Sequence, residues 1–187
     1  MAALSVPTRY RLSVIDFHRL GEAGIFSEDA RIELIDGELI EMAPIGGPHM
    51  GTVNRLNRLL VMAVGDAGVV SIQNPVALPP FSEPQPDLAV LRQGFDGVSV
   101  PVPEPGDVLL VVEVADSSLA YDRKKLALYS RASIPEVWIV NVNAARVEVH
   151  LHPTESRYAT AFERAPGEEL IPSALADVKI PVSAIFA

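Results

Sequence analysis

Two carboxylates and a pair of lysines stand where a folded chain has little structural use for them. Asp87 follows PQP at the head of the apolar run LAVL, and Glu113 interrupts VLLVVEVADSS. The segment YDRKKLALY, with Lys124 and Lys125, comes directly after. A carboxylate beside a run such as Val108-Leu109-Leu110-Val111-Val112 is costly to bury without a partner. Two such groups brought together would repel until one took up a proton or a cation came between them. A divalent metal with an ammonium group nearby resolves both problems, so Pro84 to Tyr129 reads as a candidate metal-dependent hydrolytic site.

The elements that must position these residues can be read from periodicity. Asp87 and Glu113 head or occupy apolar strands, and a helix near Asp122 to Ala132 follows, with Leu126, Tyr129 and Ser130 turned to the sheet. Upstream, Ser13 caps a helix from Val14 to Leu20 with Asp16 closing the capping box, and Gly21 and Gly24 end it. RIELIDGELIEMAP alternates on both sides of Asp36-Gly37, a pair suited to the positive φ angles of a tight hairpin. The glycines and prolines of APIGGPH predict an irregular loop. From His49 to Val64, Val53, Leu56, Leu60 and Val64 form a helical stripe that Gly65 and Gly68 end.

GVVSIQNPVALPP then reads as a strand interrupted at Pro75, Pro79 to Pro86 as a proline-rich connection, and Gly94 to Asp107 as a surface loop. PEVWIVNV predicts a buried strand, RVEVHLH a half-exposed one, YATAFER another, and VKIPVSAIF a short C-terminal cover. Strands mixed with a few helices imply an α/β or α+β sheet with helices on its faces. No repeat or internal boundary interrupts it, so residues 1–187 are expected to form one domain with its core over about 10–186.

The 187 residues are 49% hydrophobic and carry a net charge of −9, with no cysteine. That composition excludes a largely disordered chain and any disulfide or thiolate metal site. No apolar run approaches the roughly 18 residues of a membrane span, and the N-terminus shows no secretory leader. A cytoplasmic protein without membrane partners is expected. The negative charge argues against a generally basic, phosphate-coating surface and predicts weak DNA affinity without metal.

Taken together, PQPDLAV, VVEVADSS, YDRKKLALYSRASIPEVWIVN, ELIDGEL and His49 resemble the Uma family of restriction-endonuclease-like proteins, within the PD-(D/E)XK nuclease superfamily. The resemblance runs from about Tyr10 to Phe186. It implies a mixed central sheet flanked by helices, with the site where two strands diverge. It casts Asp87 and Glu113 as metal ligands, the Val114 carbonyl as a backbone ligand, and Mg²⁺ or Mn²⁺ as the ion that suits hard oxygen donors. Either carboxylate could instead cap a turn or pair with a lysine. The superfamily lysine would fall at position 115, which is Ala115 here, so the resemblance moves it to the next helix, to Lys125 or Lys124.

Glu33 matches a family glutamate that supplies a ligand or orients water, although pairing with Arg31 or a neighbour serves as well. His49 and Gln73 match positions near the site that could meet phosphate or water. Asp116, Ser133 and Val137 depart from the usual serine, glycine and tyrosine. His150 and His152 read as ordinary surface histidines.

The expectation that follows is a Mg²⁺- or Mn²⁺-dependent endonuclease acting on DNA. Asp87, Glu113, Lys125 or Lys124, and Glu33 would form the catalytic set, with Arg55 and Arg58 against the phosphate backbone. Superfamily analogy adds a homodimer, with Val147 and Val149 as a candidate edge. A catalytically inactive binding module and a small-molecule phosphoesterase are the alternatives.

Overall fold

The computed structural model describes residues 8–27, 29–44, 46–99 and 102–187. Residues 1–7, part of the stretch read for a leader, lie outside the described residues, as do positions in the loops at 43–49 and 94–107. In chain order the elements are α1 (Val14–Glu22), β1 (Ile32–Ile35), β2 (Glu38–Glu41), α2 (Gly47–Val64), β3 (Gly68–Ile72), β4 (Leu88–Arg92) and β5 (Val108–Ala115). They continue with α3 (Leu119–Arg131), β6 (Glu136–Asn141), β7 (Arg146–Pro153), β8 (Tyr158–Arg164), β9 (Glu169–Leu170), β10 (Ile180–Pro181) and α4 (Val182–Ile185).

A six-stranded sheet in the order β3-β4-β5-β6-β7-β8 forms the centre. Only β5 and β6 run parallel, and α3 makes the crossover that a parallel pair requires. Alternation along the strands divides the molecule into two faces. Leu110, Val112 and Val114 of β5 join Leu88, Val90, Trp138 and the α2 stripe Val53, Leu56, Leu60, Val64, closed over by Val182 and Ile185 of α4. Val111 and Ala115 point the other way, with Ala89, Leu91, Val137 and Ile139, and meet Leu128 and Tyr129 of α3. The architecture is α+β: a mixed sheet between helices.

Local chemistry built several elements as expected. The Ser13–Asp16 capping box starts α1, with Asp16 N donating to Ser13 Oγ at 3.1 Å and Ser13 N to Asp16 Oδ2 at 3.0 Å. Asp36 and Gly37 turn the β1–β2 hairpin at φ +50° and +84°. A Cβ on Gly37 would stand 2.6 Å from Arg11 Cβ, so glycine is required twice over. The hairpin is not part of the central sheet. It docks on residues 78–83 through Leu34–Glu83 main-chain bonds, and Arg131 of α3 reaches Asp36 at 2.5 Å.

Other boundaries moved. Gly21 sits inside α1, and only Gly24 takes a left-handed conformation after it. The helix expected at His49 begins at Gly47, because Pro48 falls in its first turn, where a missing N–H costs nothing. Gly68 opens β3 instead of ending that helix, and α3 starts at Leu119, not Asp122.

The strand RVEVHLH is also more buried than its alternation suggested, since β7 lies inside the sheet with both faces covered. Val147 and Val149 are packed in the core on the α2 face, so they offer no free dimer edge. Glu148 on the opposite face is held by Arg123 at 2.5 Å. His150 beside it is largely buried, which pushes its imidazole pKa down, so it is no ordinary surface histidine; His152 is exposed.

Candidate active site

Strand register brings the two carboxylates together. Leu88 pairs with Val112 at the end of the antiparallel β4–β5 ladder, so one step beyond it Asp87 and Glu113 stand opposite on the face that α3 covers. Asp87 is fixed by its own surroundings: Oδ2 accepts the Val114 N–H at 2.8 Å and His49 Nε2 at 3.1 Å. The main-chain N–H of Gln73, at φ +51°, donates to the Asp87 carbonyl at 3.0 Å. Glu113 is buried, and its Oε1 accepts Lys125 Nζ at 2.8 Å and Tyr129 OH at 2.6 Å.

Lys125 bridges two acids, with Glu33 Oε2 at 3.3 Å on its other side. Glu33, wholly buried on β1, also accepts Tyr121 OH at 2.6 Å and the Gln85 N–H at 3.1 Å. Hairpin, β5 and α3 therefore meet at one ammonium group. Adjacent Lys124 is exposed. Helical rotation of about 100° per residue explains why one lysine is sealed against the sheet and its neighbour is not.

The electrostatics follow from burial and crowding. Burial pushes the Glu113 carboxyl up to about 7; Lys125 opposes that shift, while Asp87 and Asp122 add to it. Burial works against the Lys125 ammonium, but Glu113 and Glu33 outweigh it and hold the group charged well above its usual range. Asp122, one turn before Lys125 and bonded to Ser118 Oγ at 2.6 Å, also has its carboxyl raised by burial. The hydrogen bond to Asp87 raises the His49 pKa against its burial, and Arg31 is close enough for its charge to be felt there. His49 Nδ1 is buried without a partner.

These groups line a cavity of about 520 Å³ between the hairpin, the start of α2 and the N-terminal half of α3. The two acids that could hold a divalent ion fit one in donor chemistry. Among the described residues Asp87 Oδ1 and Glu113 Oε2 make no hydrogen bond, both are hard oxygens, and the repulsion between the two groups calls for a cation. Among the described residues no three histidine or acidic side chains already converge on a point, so main-chain or water oxygens would complete the coordination.

Of the residues singled out in sequence, Asp87, Glu113, Lys125, Glu33 and His49 line this cavity. Val114 reaches the site through its N–H. Gln73 holds Asp87 by its main chain only, Lys124 is exposed, and Arg58 is exposed on α2 outside the cavity. Arg55 is tied down instead, donating to the Ile185 carbonyl at 2.7 Å. Sequence reasoning passed over Tyr121, Tyr129 and Asp122 as site residues. A signal was present: Tyr121, Lys125 and Tyr129 recur every four residues and so share one helix face.

Comparison with known proteins gives a family and a fold. A family model described as "Putative restriction endonuclease" (Uma2) matches residues 14–183. No curated protein matches the chain. A solved structure from Anabaena variabilis, described as a "putative nuclease belonging to DUF820", superposes with a TM-score of 0.75. That match covers 94% of this chain and 97% of the other at 12% identity, a likeness of fold.

Proposed function

The chain belongs to the Uma2 family, and from that premise we propose that it is a divalent-metal-dependent endonuclease hydrolysing phosphodiester bonds in DNA. One observation carries the reading: a charged lysine lies 2.8 Å from a buried glutamate whose strand partner is a second carboxylate, all in one open cavity. Asp87 and Glu113 would hold Mg²⁺ or Mn²⁺, with the Val114 carbonyl as the further ligand the family resemblance implies. Bound there, the ion polarises the scissile phosphate and lowers the pKa of an attached water.

The chain's own groups do the positioning. His49 and the Val114 N–H fix Asp87 Oδ2 and leave Oδ1 toward the cavity. Tyr129 and Lys125 do the same for Glu113, leaving Oε2. Glu33 and Tyr121 keep the Lys125 ammonium in place. Its charge stabilises the negative charge that grows on the phosphate oxygens as the bond to water forms. The reading includes a cytoplasmic homodimer, in which two sites would face the two strands of a duplex.

Cleavage of plasmid and linear DNA by purified protein, with Mn²⁺, Mg²⁺ or EDTA, tests this. Metal-dependent cleavage that Asp87→Asn abolishes is expected; undiminished cleavage by that variant would remove the assignment. A small-molecule phosphoesterase is the second reading, favoured by the cavity volume of about 520 Å³, which is in the range of metabolite sites. Turnover of p-nitrophenyl phosphate or its diester, without DNA cleavage, would select it.

A further inference from the structure

Just before the hairpin strand that supplies Glu33, and two positions ahead of it, stands a second charged residue, Arg31. Alternation puts Arg31 and Glu33 on the same side, and both line the cavity. The expected pairing between them is absent, because Glu33 is taken by Lys125, Tyr121 and the Gln85 N–H. Among the described residues the Arg31 guanidinium has no hydrogen bond and no ion pair. Its main chain is not loose, since the Arg31 carbonyl accepts the Met42 N–H at 2.8 Å.

The other cations nearby are engaged. Lys125 bridges Glu33 and Glu113, His49 contacts Asp87, and Arg11 and Arg131 both hold Asp36. The cavity wall is rich in carboxylates, among them Glu41, Asp116 and Asp122. No hydrogen bond or ion pair among the described residues ties this half-buried guanidinium to the fold. Its planar fork of N–H donors matches two oxygens of a phosphate, a geometry lysine cannot reproduce.

We propose that Arg31 is the anion receptor of this cavity, gripping a phosphate group of the substrate with its guanidinium. That the anion belongs to a nucleic acid rests on the endonuclease reading above; that Arg31 binds an anion does not. The test measures binding of a fluorescein-labelled 12-nucleotide thymidine strand, in Ca²⁺ and in EDTA, across a range of salt. Inorganic pyrophosphate is titrated in parallel, and cleavage in Mn²⁺ is measured separately.

Arg31→Ala is expected to weaken strand and pyrophosphate binding by about 10- to 100-fold. It should also flatten the plot of log affinity against log salt by about 0.7. Arg31→Lys should restore that slope but only part of the affinity. Because the side chain has no internal partner, the melting temperature should stay at the wild-type value, which separates lost binding from lost structure. Equal binding by Arg31→Ala and wild type overturns the proposal, as does a wild type that binds neither probe. Pyrophosphate binding that depends on Arg31, in a protein that cuts no DNA, keeps the receptor and discards the nuclease.

Discussion

Two glutamates are buried in adjacent strands of the sheet, one toward each face, and they are treated differently. Glu136, on β6 facing α2, has both oxygens satisfied by N–H donors: Trp138 Nε1 at 2.5 Å and the Ser173 main chain at 2.6 Å. Glu113, on β5 facing α3, has one oxygen held by Lys125 and Tyr129 and the other left to the cavity, with further carboxylates close by. A fully satisfied buried acid is part of the scaffold. A half-satisfied one crowded by like charges holds a place for something the protein binds. On the proposed reading, Glu136 on the α2 face serves the scaffold alone, while Glu113 on the α3 face is kept for the chemistry.

Exchanging each acid for its amide should pull these roles apart. Glu113→Gln is expected to cut metal-dependent cleavage by at least about 100-fold. It should disturb folding at pH 7 far less than cleavage, because the amide keeps an acceptor oxygen for Tyr129 and Lys125, and Lys125 retains Glu33 as a charged partner. Glu136→Gln should do the reverse, since its amide NH₂ would face an N–H donor and leave a buried group unsatisfied. A loss of about 1–3 kcal/mol is expected, with cleavage per folded molecule unchanged. Chemical denaturation and DNA cleavage measured on both variants would break the comparison if either lost both properties together.

The two lysines sharpen it next. Lys125→Met leaves Glu33 and Glu113 buried without their shared cation, and removing one partner of a buried ion pair costs about 3–5 kcal/mol. Lys124→Met, on an exposed position, should fall within about 0.5 kcal/mol of the wild type. Similar urea midpoints for the two variants would mean that the ammonium group does not hold the hairpin to α3.

That contrast also marks where the sequence stops being readable. The capping box, the Asp36-Gly37 turn, the α2 stripe and the strand placements of Asp87 and Glu113 follow from rules spanning a few residues, and they were legible. Choosing Lys125 over Lys124 needs the rotational phase of α3 against the sheet, which only packing sets. The same holds for Arg55, whose carbonyl partner lies 130 positions along the chain. The alternative that Glu33 pairs with Arg31 fails because the competitor for that glutamate, Lys125, arrives from an element 92 positions later. Burial of Val147 and Val149 was missed because alternation alone does not say whether the apolar face of a strand packs inside its own fold or is offered to a partner.

The last expected effect is a dependence on pH to which Glu113 should contribute most, alongside Asp122 and Glu83, whose carboxyls burial also raises. In the metal-free protein burial raises its carboxyl from the ordinary 4.5 to about 7. Between those values the folded state keeps a proton that the unfolded chain has released. Stability should therefore fall as pH rises from about 4.5 to about 7, and level off above, when measured in EDTA. A metal ion competes for the same oxygens, so Mn²⁺ affinity should climb with pH over this window, by no more than about tenfold per unit, and then flatten. Both trends should weaken markedly in Glu113→Gln and persist in Glu136→Gln. If the Glu136 variant lost them instead, the wrong face of the sheet would have been assigned the chemistry.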